Sequence, residues 1–180
     1  MPLAPGTYVL GPECGTLTVR TGKGGAAAKA GHNLQIEVTR WRATVEVGDE
    51  PAITLSADAR SLRVVTGSGG MAPLGDEEKA GIAQTIDDEI LKGTAIEFRS
   101  TRVDADGDRL GVEGELELAG TRRPLAFEVA VGEDGRLAGT AEVKQTDWGM
   151  KPYSALFGTL KVADVVEIAV QANTRSAGDG

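Results

Sequence analysis

Apolar and polar residues alternate with a period of two along most of the chain, which predicts a protein built of β-strands. In the segment 110–118, leucine, valine and glycine positions alternate with Gly111 and three glutamates. The same pattern predicts further strands at 53–59, 125–131, 137–143 and 166–172. Because these strands follow one another through short turns, we expect mostly antiparallel pairing.

One stretch changes the phase of this alternation. The apolar positions are 34, 36 and 38, and then 41, 43, 45 and 47. A strand that keeps one buried face across such a slip needs an extra residue, so the sequence predicts a β-bulge near Thr39–Arg40. Long bent strands are typical of barrels.

Only one segment has the pattern of a helix. Acidic residues open it at Asp76, isoleucines recur at four-residue spacing, and Lys92 precedes a glycine. Residues 21–31 have the composition of a loop. We therefore predict an all-β fold: one extended antiparallel barrel of about eight strands with a helical excursion near 76–92. A single domain would span 1–180, with 176–180 as a flexible tail.

Composition and charge exclude several classes of function. The 180 residues carry a net charge of -8, which disfavours nucleic-acid binding. With one His and one Cys, neither a structural zinc site nor an internal disulfide is expected. We found no apolar run long enough for a membrane span and no signal peptide, so we expect a cytoplasmic protein that is not integral to a membrane.

The acidic segment Asp104–Asp108 raises the question of a calcium loop. Its carboxylates are suitably spaced, but Arg109 stands where such loops need glycine, and the flanks have strand patterns. A hairpin turn explains the segment better, and we predict no metal site. The glycine-rich segment Gly67–Gly70 is interpreted as a connector, with anion binding as the alternative.

Three charged residues and one aromatic cluster are candidates for a binding site. His32 could act as a base or a pH switch, although a structural role is the simpler interpretation. Arg122 and Arg123 form either a charged turn or a clamp for a phosphate-bearing head group. The segment 147–158 concentrates aromatic residues in a chain that has only 4% of them. It could be a barrel plug or an apolar mouth for a ligand.

The order of several motifs resembles the YceI-like family over nearly the whole chain. The residues that carry the resemblance are Gly6-x-Tyr8-x-Leu10-x-Pro12, Gly31-His32, Ser61–Gly67, Ile96-x-Phe98-x-Ser100, Val112–Pro124, Trp148–Tyr153 and Leu160–Val166. The resemblance implies a lipocalin-like barrel. Some members hold a polyisoprenoid in it, many are periplasmic and linked to stress, and several are dimers.

From this we expect a non-enzymatic carrier, possessing no cofactor, for a long apolar ligand such as a polyprenyl phosphate or quinone. A stress-related role and a homodimer are further expectations from the resemblance. The expected ligand-binding residues are Ile36, Val38, Phe98, Leu116, Leu118, Phe127 and Val129, with Trp148, Tyr153 and Phe157 at one end, and His32, Arg122 and Arg123 for a head group. The alternative is a protein-interaction or dimerisation module whose barrel is filled by side chains; a hydrolase or isomerase using His32 ranks last.

Overall fold

The computed structural model describes residues 4–23, 32–69, 77, 80, 81, 84, 93–149, 154–155 and 160–174. These ranges consist mostly of β-structure, which confirms the all-β prediction. The strands are β1 (Gly6–Leu10), β2 (Gly15–Lys23), β3 (His32–Val38), β4 (Trp41–Val47), β5 (Ala52–Ala57), β6 (Leu62–Gly69), β7 (Ile96–Asp106), β8 (Arg109–Leu118), β9 (Thr121–Val131), β10 (Arg136–Lys144), β11 (Ser154–Ala155) and β12 (Leu160–Asn173). Short 3-10 turns lie at Ala59–Ser61 and Gln145–Trp148.

The strands form one curled antiparallel sheet in the order β1-β4-β5-β7-β8-β9-β10-β12-β2-β3-β6, with β11 paired to β12. We call each crossing of the chain from one end of the barrel to the other a pass. Three of the passes are bent, and each of these consists of two strands, namely β1–β2, β3–β4 and β5–β6. The first pass pairs with the second through β1–β4 and β2–β3, and with the last through β2–β12. Each pass therefore lies between its neighbours in sequence and the ring closes, as in an up-and-down barrel.

The predicted strand number and the observed one differ because of these bends. The twelve strands comprise eight long passes of the chain and the two-residue strand β11. The alternation of apolar and polar residues marks a whole pass. A bent pass counts as two strands, because its hydrogen-bonded ladder is interrupted at the bend. The predicted barrel is confirmed, with bent passes in place of uniform strands.

The bend between β3 and β4 is where the sequence changes phase. Ile36 and Val38 before it and Trp41 after it are all buried, while Thr39 and Arg40 are exposed. The corner is bonded to the 3-10 turn of the neighbouring pass: Thr39 N donates to Ser61 O at 2.9 Å, and Arg40 N donates to the Ser61 hydroxyl at 3.0 Å. The predicted extra residue is thus a corner of the barrel.

Connections between successive passes alternate between the two ends of the barrel. One end carries the connections β2–β3, β6–β7, β8–β9 and β10–β12, and the other carries β4–β5, β7–β8 and β9–β10. His32, Arg122 and Trp148 lie beside connections of the first end. We call it the head end, because His32 and Arg122, which the sequence suggested for a head group, lie there.

Two segments differ from the sequence-based expectation. Residues 21–23, predicted as loop, extend β2, because Thr21 and Lys23 pair with Val166 and Val162 of β12. Residues 67–69, predicted as connector, extend β6 and pair with β3. Glycine-rich composition does not prevent strand formation where a neighbouring strand supplies a ladder.

The helical excursion lies mainly outside the described residues. Within 76–92, the described positions are 77, 80, 81 and 84, and all four are helical and exposed. Those four agree with the predicted helix, and its remaining residues are outside the described ranges, as is the predicted tail 176–180.

Candidate ligand-binding cavity

The barrel encloses a cavity of about 230 Å³. Inward-facing residues from all eight passes line it. Among the described lining residues, only Thr140 and Gln145 have polar side chains; the others are aliphatic residues, two phenylalanines and Gly139. An engineered cavity of about 150 Å³ with such a lining stays dry and binds benzene. The barrel interior therefore has room for an apolar guest.

The cavity is elongated along the barrel wall. On β10 it is lined by the successive inward positions Leu137, Gly139, Ala141 and Val143 and continues to Gln145. Eight residue steps correspond to about 26 Å of strand. A small volume spread over this length describes a narrow channel, which suits a linear hydrocarbon chain better than a compact ring system.

A pair of phenylalanines narrows the channel at one wall. Phe98 on β7 and Phe127 on β9 have ring centroids 5.2 Å apart with planes tilted by 57°. The intervening strand β8 carries Gly114, whose missing side chain leaves room for the Phe98 ring: a Cβ there would lie 2.6 Å from Phe98 Cζ. Gly114 thus allows the two rings to meet across β8.

Seven of the predicted ligand-binding residues lie on the cavity wall: Ile36, Val38, Phe98, Leu116, Leu118, Phe127 and Val129. The structure therefore brings together side chains that are up to 93 positions apart in the sequence, from β3, β7, β8 and β9. That they contact a ligand remains a prediction. Tyr153 and Phe157 lie outside the described residues.

The wall between β9 and β10 is incompletely bonded. Their ladder comprises four pairs, from Leu137↔Val131 to Thr140↔Glu128. The parts of β9 and β10 nearer the head end, 121–127 and 141–144, do not pair with each other. Leu125, Phe127 and Ala141, which line the cavity there, are only half-buried. We call this section the open seam.

Trp148 lies at the head end of the open seam. It closes the 3-10 turn that follows β10, and that turn contacts β9 and β12. The indole is buried, and its Nε1 donates a hydrogen bond to Leu116 O at 2.9 Å. Because Leu116 belongs to β8, this bond connects the end of β10 to the strand beyond β9. Trp148 is not among the residues that line the cavity, so its predicted contact with a ligand stays a prediction.

The two candidate head-group arginines lie on opposite faces of β9. Arg122 pairs with Glu117 in the β8–β9 ladder, and their charged groups are 3.6 Å apart on the outer face. Arg123 is the ladder partner of Leu116, a cavity-lining residue, so it shares the inner face although it is exposed. Only Arg123 is therefore placed to meet a guest; the side chain of His32 is not described.

The predicted ligand-binding residues cover only part of the cavity wall. Leu10, Leu17 and Val19 of the first pass line it, as do Ala43, Val45 and Ala57 on the second and third passes. Most of these residues follow the same period-two pattern as the predicted ones. The missing information was which face of each strand points inward, because both faces of a strand can carry small apolar residues.

Acidic clusters play no part in the cavity. The segment Asp104–Asp108 forms the end of β7 and the turn of the β7–β8 hairpin, with Gly107 at a φ of 61°. This confirms the hairpin interpretation. Within the described ranges, no group of three His, Cys, Asp or Glu residues is arranged to hold a metal.

None of the helical residues that the structure describes belongs to a helix long and apolar enough to span a membrane.

Comparisons with known proteins agree with this architecture. A protein-family model described as YceI-like domain matches residues 29–174. The crystal structure of BcnA from Burkholderia cenocepacia is similar with a TM-score of 0.63 at 15% identity, covering 87% of this chain and 94% of BcnA. The YCEI protein of Campylobacter jejuni is similar with a TM-score of 0.54 at 15% identity, covering 76% and 81%. Comparison with curated protein sequences gives no match.

Proposed function

The chain belongs to the YceI-like family, and from that premise we propose that it is a non-enzymatic carrier for a long apolar ligand held inside the barrel. An isoprenoid, with either a phosphate or a quinone head, is the ligand class that we expect. The observation that carries the proposal is the continuous apolar channel along β10.

The chemistry of the channel wall supports binding over catalysis. Burial of hydrocarbon contributes about 0.8 kcal/mol per CH₂ group, so a chain of ten carbons gains affinity without any polar contact. No ionisable side chain is among the described residues that line the cavity. General acid–base or nucleophilic chemistry needs such a group within hydrogen-bond reach of the substrate.

Arg123 gives the proposal a place for a charged head group. It lies on the inner face of β9, beyond the cavity-lining Leu125, and it is exposed at the head end. A guanidinium at the mouth of an apolar channel can bind a phosphate while the hydrocarbon chain lies inside. Arg122 is engaged with Glu117 on the outer face and is the matched control.

The alternative of an interaction module with a filled barrel has weaker support. A barrel packed by its own side chains leaves no continuous channel. Across the part of the chain that the structure describes, Val165 is the one large hydrophobic side chain that is strongly exposed. A homodimer therefore remains a separate proposal that the cavity does not require.

Native mass spectrometry of the purified protein, followed by solvent extraction, tests the carrier proposal. We expect a discrete added mass that matches an isoprenoid in the extract, or uptake of added decaprenyl phosphate or ubiquinone. A protein that carries no extractable lipid and takes up neither probe would contradict the proposal and favour the interaction module.

Variants on the two faces of the barrel make this test specific. Phe127→Asp places a charge in the channel and should abolish uptake, whereas Ala126→Asp on the exposed outer face should not. Because a buried charge can prevent folding, Ala141→Leu is the second variant: it fills the channel with an apolar group, and Ala126→Leu is its control. Normal uptake by a folded Ala141→Leu protein would show that the guest lies elsewhere.

A further inference from the structure

The open seam has a proline on its β9 edge. Val131 N donates to Asp108 O on the β8 side of β9, and Gly132 N donates to Arg136 O on the β10 side. Because backbone groups alternate along a strand, the even-numbered residues of β9 point their N–H and C=O groups toward β10. One of them is Pro124, which has no N–H to donate. A sheet tolerates proline at an edge, so the sequence of β9 itself disfavours a complete ladder with β10.

The seam begins where this ladder ends, at the pair Thr140↔Glu128. If the same register continued, Lys144 would lie opposite Pro124. Four residues of β10 remain between the last pair and the 3-10 turn, which corresponds to about 13 Å of strand. Both strands are bonded on their far sides, β9 to β8 over ten pairs and β10 to β12 over nine. The two edges can therefore separate while each strand stays in the wall to which it is bonded.

The seam leads directly into the channel. Leu125 and Phe127 on β9 and Ala141 and Val143 on β10 border it, and all four residues line the cavity. The first three are half-buried, whereas Leu137 at the other end of β10 is only 4% exposed. A hydrocarbon chain that passes between these edges reaches the channel without disrupting a bonded ladder.

Trp148 closes the head end of the seam. Its bond from Nε1 to Leu116 O connects the end of β10 to the wall formed by β8 and β9. The indole is buried in the hydrophobic core, although it does not line the cavity. If the edges separate, the 3-10 turn must move away from β9, which breaks this bond and exposes the ring. Each of these changes costs free energy, so Trp148 favours the closed seam.

We propose that the open seam is a gate: the guest enters and leaves the barrel sideways between β9 and β10, and Trp148 holds the gate closed between these events. Pro124 limits how firmly the two edges can bond, and the indole bond stands in for part of the missing ladder. This inference rests on the proposed carrier function. It assigns Trp148 a role in the rate of exchange and requires no contact between its indole and the guest.

Exchange of a bound guest measures the role of Trp148. Protein loaded with decaprenyl phosphate or ubiquinone is mixed with an excess of the deuterated probe, and native mass spectrometry follows the bound mass. Trp148→Phe removes the indole donor, so loading and release should both become about tenfold faster while Kd changes little. A merely structural loss of stability would not accelerate both steps. Trp41→Phe, in the strand bonded to β1 and β5, is the control and should exchange at the wild-type rate.

A reversible covalent lock tests the route itself. In a Cys14→Ser background, Ala126→Cys and Glu142→Cys place one thiol on each edge of the seam, at positions that the continued register sets opposite each other. Once the disulfide forms, empty protein should no longer load and loaded protein should no longer release, and a reductant should restore both rates. The control joins Glu113→Cys to Ala126→Cys, a ladder pair of the bonded wall, and should exchange at the wild-type rate when oxidised.

The outcomes separate this inference from the proposed function. Wild-type exchange by the locked protein would show that the guest passes through the mouth at the head end, and the barrel would remain a carrier without this gate. An unchanged exchange rate in Trp148→Phe would likewise overturn the role of the indole. If the seam thiols cannot be oxidised, the edges do not approach each other, and the exchange rate of Trp148→Phe decides the question. If the wild-type protein takes up neither probe, the carrier function itself fails and the inference falls with it.

Discussion

Strand β9 is bonded to β8 from Leu118↔Thr121 to Arg109↔Ala130, but its ladder with β10 ends after four pairs. On the β8 side, Gly114 lets the rings of Phe98 and Phe127 meet across the strand. On the β10 side, the open seam is bordered by half-buried Leu125 and Ala141. The bonded wall of the barrel is therefore a scaffold, whereas separation of the strands at the open seam costs less free energy. We expect a long guest to enter through the open seam.

The largest effect should come from adding a side chain inside the bonded wall. In Gly114→Ala, the new Cβ would overlap the carbonyl oxygen of Arg99 and lie 2.6 Å from Phe98 Cζ. We expect the free energy of unfolding to fall by about 3 kcal/mol or more, measured by urea denaturation. The control is Gly139→Ala beside the open seam, where the nearest atom, Val129 Cγ2, would be 3.2 Å away. If Gly114→Ala and Gly139→Ala lowered the free energy of unfolding equally, the difference between the bonded wall and the open seam would be contradicted.

The exchange rates of the backbone amides should distinguish the two edges of β9. Amides of β9 that point toward β8 should be protected along the strand. Amides between Thr121 and Phe127 that point toward β10 should exchange about a hundredfold faster, because the ladder is absent there. Binding of a guest should slow the fast set. Uniform protection of both edges would show that the seam is closed in solution.

The sequence predicted the barrel well because its signal is local. Each strand shows period-two alternation by itself, and the phase slip between Val38 and Trp41 marks a corner without knowledge of its partner. These features depend on residues within about fifteen positions of one another.

The features that the sequence did not predict depend on distant partners. Residues 67–69 became strand because β3 pairs with them, and Lys23 did so because β12 reaches it. Arg122 and Arg123 are identical in type, and only the register against Glu117 and Leu116 separates their faces. The acceptor of Trp148 lies 32 positions away, and the unpaired state of Trp41 has no sequence signal.

The two tryptophans offer a smaller test of what holds the head end together. Trp148→Phe removes a donor and leaves Leu116 O without its indole partner, which should lower the free energy of unfolding by about 1–2 kcal/mol beyond the loss of ring volume. Trp41→Phe loses a similar ring volume but no hydrogen bond. We therefore expect Trp148→Phe to be the more destabilised of the two in urea. The reverse order would mean that the bond across the open seam contributes little.

The smallest effect concerns the turn that fastens β8 to β9. Ala119 and Gly120 have φ values of 50° and 79°, so both central residues occupy the left-handed region typical of a type I′ hairpin turn. Asparagine tolerates this conformation better than alanine. Ala119→Asn should therefore raise the free energy of unfolding by about 0.5–1 kcal/mol, seen as a higher urea midpoint with an unchanged slope. Gly120→Ala, which puts a side chain into the same region, should shift the midpoint in the opposite direction. Because Ala119→Asn stabilises the β8–β9 hairpin and leaves β10 unchanged, guest uptake by this variant should stay at the wild-type level. Slower uptake would show that the guest enters past the β8–β9 turn instead of the open seam.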